Sequence, residues 1–129
     1  EGIKGAEATA VCVYLASMGK DKNEIAKYIT DNYYDWCSSV AELQANYSWD
    51  GSCQGTVPPA LQCFLESESF EDAIRNAISI GGDSDTIGAI TGAVAGAYYG
   101  IPKEMIETAR KYVPDDLLTI IDKFEKGDY

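Results

Sequence analysis

Histidine is absent from the 129 residues. That removes Ser-His and Cys-His nucleophile pairs, zinc sites built on imidazole, and pH switching by imidazole. Long apolar runs are missing as well, and a membrane-spanning helix would need about 18 or more consecutive apolar residues. Basic side chains are scarce: 10 Lys and Arg stand against 21 Asp and Glu, a net charge of −11. A surface this negative repels phosphate backbones and anionic lipid, so neither nucleic acid nor a membrane is expected as a partner. It suits divalent cations better. The four cysteines, Cys12, Cys37, Cys53 and Cys63, form no C-x-x-C pair. With no secretory signal or basic transit segment in view, they are expected to be reduced thiols in a cytoplasmic protein.

What remains is ordinary globular material. Hydrophobic residues make up 46% and charged ones 24%, enough for one domain with its own core. No alternating strand pattern lasts beyond four residues, and apolar residues recur at helical spacing nearly throughout. Residues from Gly5 to Met18 read as a helix stopped by Gly19. Asp21 and Glu24 resemble a capping box opening a helix with Ile25, Tyr28 and Ile29 on one face. Residues 31–55 are the irregular part, crowded with aromatics, and Ser39 with Glu42 caps a short helix inside them. Pro58 and Pro59 are expected in the first turn of the next helix, where a missing N–H costs nothing. Ser69 and Asp72 open another helix, and Gly81-Gly82 ends it. Asp85 to Tyr99 follows, with Gly88, Gly92 and Gly96 in a row that implies close approach by a neighbouring backbone. Helices after Pro102 and Pro114 complete an all-α chain, the last carrying Leu117, Leu118, Ile121 and Phe124.

One segment looks chemical: Gly81-Gly82-Asp83-Ser84-Asp85-Thr86. Two carboxylates and a hydroxyl sit where a glycine turn enters a helix. Hard oxygens at this spacing converge on Mg²⁺, Mn²⁺ or Ca²⁺. The same residues also suit a plain helix start, capping N–H groups at the positive dipole end. The residues alone leave both readings open. An EF-hand is excluded by the missing third acid, central glycine and terminal glutamate, and a Walker loop by the missing Gly-Lys-Ser/Thr. Asp115-Asp116 and Thr30-Asp31-Asn32 read as helix-terminus residues. The candidate site looks half-built, because Mg²⁺ takes about six ligands and this turn offers three.

The run from Ser69 to Ile87, S-F-E-D-A-I-R-N-A-I-S-I-G-G-D-S-D-T-I, continues through 91–102. Together they resemble the ADP-ribosylglycohydrolase family. Glu1-Gly-Ile-Lys-Gly-Ala6 and Ser52-Cys-Gln-Gly-Thr-Val-Pro58 are similar to family segments too. The resemblance implies an orthogonal bundle of helices, forming a single domain over residues 1–129. It implies a binuclear Mg²⁺ or Mn²⁺ site to which Asp83, Asp85 and Thr86 contribute ligands, with Ser84 shaping the turn. Gly55 and Thr56 would lie on the substrate side, in a loop lining the nucleotide part of the cleft. The implied activity is metal-assisted removal of ADP-ribose from a modified protein side chain or small molecule.

Family members also carry a Thr-Asp-Asp-Thr cluster, an assisting acidic residue and a histidine just before the segment matching Glu1, and these are not found here. The chain is therefore expected to be the C-terminal portion of the fold, incomplete at its N-terminus and with no catalytic residue of its own. It is expected to need the missing N-terminal half as partner, to be inactive in isolation, and to self-associate through uncovered apolar surface. The rival readings are a non-catalytic structural or ligand-binding fragment of the same fold, and a helical interaction domain with no small ligand.

Overall fold

The computed structural model describes residues 1–36 and 38–127; the expected thiol at Cys37 lies outside them. Eight helices and no strand are present among the described residues. They are α1 (Gly2–Ser17), α2 (Lys22–Asn32), α3 (Val40–Asn46), α4 (Cys53–Leu65), α5 (Phe70–Ser79), α6 (Ser84–Tyr99), α7 (Lys103–Arg110) and α8 (Asp115–Lys126). The all-α expectation holds.

Local signals in the chain set most boundaries. Asp21 and Glu24 form a complete capping box at α2, and Ser39 and Glu42 form another at α3. Ser69 caps α5 by accepting from the Asp72 N–H at 3.1 Å. After α1 and α5, Gly19 and Gly81 take positive φ (+76° and +75°), a conformation that favours glycine.

Helix α6 is the centre. It packs on α1, α4 and α5, and Ile87, Thr91, Val94 and Ala95 are buried along it. The Thr91 hydroxyl, fully buried, donates to the Ala60 carbonyl of α4 at 2.8 Å. The glycine row faces α5. A Cβ at Gly88 would lie 3.7 Å from Ile78 Cδ1, one at Gly92 would lie 3.1 Å from Ile74 Cδ1, and one at Gly96 would lie 3.7 Å from Phe70. Two rows at four-residue spacing therefore run antiparallel. The expected close approach is made by side chains, those of α5 and, nearest to Gly96, Ile101, not by a bare backbone.

Two further expectations fail. Helix α4 starts at Cys53, because Ser52 caps it by accepting from the Gly55 N–H at 3.1 Å. Pro58 and Pro59 thus lie inside the helix and are buried there. Pro59 provides no N–H for the Gly55 carbonyl four residues back, and the Tyr47 hydroxyl donates to that carbonyl instead, at 2.8 Å. Tyr28 does not share the buried face of Ile25 and Ile29; it is 43% exposed.

At its other end α4 is closed by Lys22. The ammonium donates to the Leu65 carbonyl at 2.9 Å and to the Ser67 carbonyl, and lies 5.2 Å from the Phe64 ring centroid and 5.3 Å from that of Tyr99. Tyr99 from α6 donates to the same Ser67 carbonyl at 2.7 Å. Helices α7 and α8 bury no residue, and Phe124 is 72% exposed. Arg110 ties them together through Asp122 and Glu125. No helix among the described residues is long and apolar enough to cross a membrane.

Candidate metal turn and its surroundings

The turn after α5 carries two consecutive glycines in the left-handed region, Gly81 (φ +75°) and Gly82 (φ +68°). They reverse the chain so that Asp83 becomes the residue before α6. Asp83 does not cap the helix: its side chain makes no hydrogen bond to the helix N–H groups. The bland reading of this residue therefore loses its main support. Asp85, one residue into α6, is exposed. Its carboxylate is held below the usual carboxylate range, first by a hydrogen bond with the Asp83 carboxyl and then by backbone N–H groups. One of these is the Thr86 N–H, 3.1 Å from Asp85 Oδ1. Asp83 and Asp85 thus stand at the positive end of a helix, one before it and one in its first turn, and carboxylates there suit a hard cation. Thr86 is exposed beside them. Among the described residues, no group of three or more His, Cys, Asp or Glu side chains converges to hold a metal. The turn offers a pair of carboxylates and a neighbouring hydroxyl.

Gly55 and Thr56 sit in the first turn of α4, not in a loop. Thr56 is 3% exposed, and its hydroxyl donates to the Asp50 carbonyl at 2.8 Å. The Asp50 side chain leans over Gly55, where a Cβ would stand 2.0 Å from Asp50 Oδ2. Its carboxylate lies below the usual range because the Ser52 hydroxyl and N–H both bond it. Helices α4 and α6 run the same way: their starts meet at Tyr47, and Thr91 meets Ala60 further along. Both positive helix ends therefore face one end of the molecule.

Tyr47 makes that meeting. Its ring lies where a Gly82 side chain would go, 2.4 Å from the Cβ position, while its hydroxyl reaches Gly55. The structure so brings the Gly55 turn beside the Gly82-Asp83 turn. Sequence reasoning missed Tyr47, although a signal existed: Pro59 four residues after Gly55 leaves a carbonyl that needs an outside donor. The other acidic candidates behave as expected at helix ends. Asp31 pairs with Lys27 at 2.6 Å, and Asp115 and Asp116 occupy the first turn of α8.

Fold and site together define an all-α protein with an aspartate pair set at the joined starts of two parallel helices. The chain belongs to the ADP-ribosylglycohydrolase family, whose profile matches residues 1–128. It is similar to human ADP-ribosylhydrolase ARH3, with 35% identity over 77 aligned positions covering 49% of this chain and 21% of that protein. It is also similar to the ADP-ribosylarginine hydrolase Tri1 of Serratia proteamaculans, 38% identical over 55 positions covering 40% of this chain and 15% of that one. An uncharacterized protein of Archaeoglobus fulgidus is 38% identical over 52 positions. The matched stretch thus spans about a fifth or less of these curated relatives. No solved structure matches.

Proposed function

We propose that the chain forms one side of the active centre of a metal-dependent ADP-ribosyl-acceptor hydrolase, with Asp83, Asp85 and Thr86 as ligands of Mg²⁺ or Mn²⁺. The observation that carries this reading is the placement of Asp83 and Asp85: the first precedes the helix without capping it, and the second lies in its first turn. Family membership and the relatives' names support the reaction class. When bound, the ion would orient the ribose diol and polarise the anomeric centre or a water.

The chain's own residues do the holding. The starts of α4 and α6 bring two positive helix ends together, an arrangement that would suit an anionic diphosphate. Gly55 and Thr56 shape that wall from the first turn of α4; the Thr56 hydroxyl serves by fixing the Asp50 carbonyl. Three oxygen donors meet about half the needs of one Mg²⁺, so the other ligands are waters or groups from another polypeptide segment. The thiols of Cys12 and Cys53, free of disulfides, suit a reducing cytoplasm. The substrate is an ADP-ribosylated protein or small molecule.

Calorimetric titration with Mg²⁺ and Mn²⁺ tests the assignment. Asp83→Asn and Asp85→Asn are each expected to weaken binding, and unchanged affinity in both would sink it. The rival reading of a ligand-binding module without catalysis draws on the same three-donor count. Metal and ADP-ribose binding without any release of ADP-ribose from modified arginine or serine, even with the further ligands supplied, would favour it.

A further inference from the structure

We infer that Tyr47 is a positioning residue that holds the metal turn in register with the first turn of α4; the inference rests on the metal reading above. Three observations converge on it. The Gly55 carbonyl lacks its helical donor because Pro59 has no N–H, and Tyr47 Oη donates to it at 2.8 Å. The ring stands 2.4 Å from where a Gly82 Cβ would be, so the phenol fills the side-chain space of the residue directly before Asp83. Tyr47 is itself fixed. It ends α3, its N–H bonds the Leu43 carbonyl at 2.8 Å, and α3 is anchored by buried Val40 and Leu43 in a cluster that includes Ala60 and Ile87.

The phenol therefore spans two helix starts, tied to α4 by its hydroxyl and seated on the α6 turn by its ring. A shift of the ring moves Gly82 and with it the Asp83 carboxyl. On this reading the effect of Tyr47 passes through the turn.

A purely structural Tyr47 would only satisfy the Gly55 carbonyl, and that duty can be handed to another donor. Pro59→Ala restores a backbone N–H four residues after Gly55. Thermal melting and Mn²⁺ affinity, read from the electron paramagnetic signal of free Mn²⁺, are compared in the wild type, Tyr47→Phe, Pro59→Ala and the double variant. Tyr47→Phe is expected to melt lower and to bind Mn²⁺ about fivefold more weakly, the size of one lost hydrogen bond. The double variant is expected to regain melting temperature yet keep the weakened affinity. Wild-type Mn²⁺ affinity in Tyr47→Phe, or recovery of both properties in the double variant, would overturn the positioning role. No Mn²⁺ binding by the wild type, or binding indifferent to Asp83→Asn and Asp85→Asn, would instead overturn the metal reading and this inference with it.

Discussion

Two adjacent glycines show how differently one residue type is constrained. Gly81 and Gly82 both adopt positive φ, but nothing lies within 4 Å of a Cβ at Gly81, whereas a Cβ at Gly82 strikes the Tyr47 ring at 2.4 Å. Gly81→Ala should therefore cost only the left-handed backbone penalty, about 1–2 kcal/mol. Gly82→Ala adds the collision, worth roughly 1–3 kcal/mol more by analogy with overpacked cores. Urea denaturation of the two variants reads the difference, and equal losses would show that Tyr47 yields freely. Cysteines divide in a similar way. Burial pushes the Cys12 thiol up to about 12, so it stays protonated at pH 8, while Cys53 is half-exposed at the start of α4. Iodoacetamide at pH 8 should label Cys53 and spare native Cys12; matched labelling rates would mean that α1 opens readily.

Among the elements, α6 against α5 gives the sharpest expectation. Alanine in a helix interior is favoured over glycine by about 1 kcal/mol, unless its methyl has nowhere to go. At Gly88 the nearest atom is at ordinary contact distance, 3.7 Å. At Gly92 the end of Ile74 stands at 3.1 Å, and at Gly96 two Ile101 atoms stand at 3.2 Å. The stabilisation from alanine should fall in the order Gly88, Gly92, Gly96, and chemical denaturation that found Gly96→Ala the most stabilised would refute the packing. Such helices were legible because their signals are local. The Asp21 and Ser39 capping boxes, the terminal glycines and the apolar spacing each act within one or two turns. The start of α4 was misplaced because Pro58 and Pro59 suggest a first turn, and only a tertiary donor, Tyr47, makes the internal position affordable. The turn at residues 81–86 was legible as a motif from its glycines and aspartates. Its placement beside Gly55 was not, since 26 residues lie between Gly55 and Gly82 and the link is one phenol.

At the scale of the whole molecule, the count of donors decides what the chain does alone. Its net charge of −11 attracts divalent cations in a diffuse way that salt screens, so attraction is not the limiting factor. Coordination is. Among the described residues no third carboxylate joins Asp83 and Asp85, and the chain has no histidine to move a proton. A two-metal hydrolysis needs both ions fixed about 3.5–4 Å apart, which waters on one pair of carboxylates do not secure. The 129-residue chain by itself is therefore expected to bind Mg²⁺ weakly and to release no ADP-ribose from modified arginine or serine at any Mg²⁺ concentration. Adding a polypeptide segment that brings further acidic ligands should raise metal affinity first and produce turnover only when both ions are held. Chelation would then abolish that turnover while leaving the helical fold intact by circular dichroism, since the described core clusters are built from apolar side chains. Metal-dependent turnover by the chain alone would show that three donors, with water, are enough.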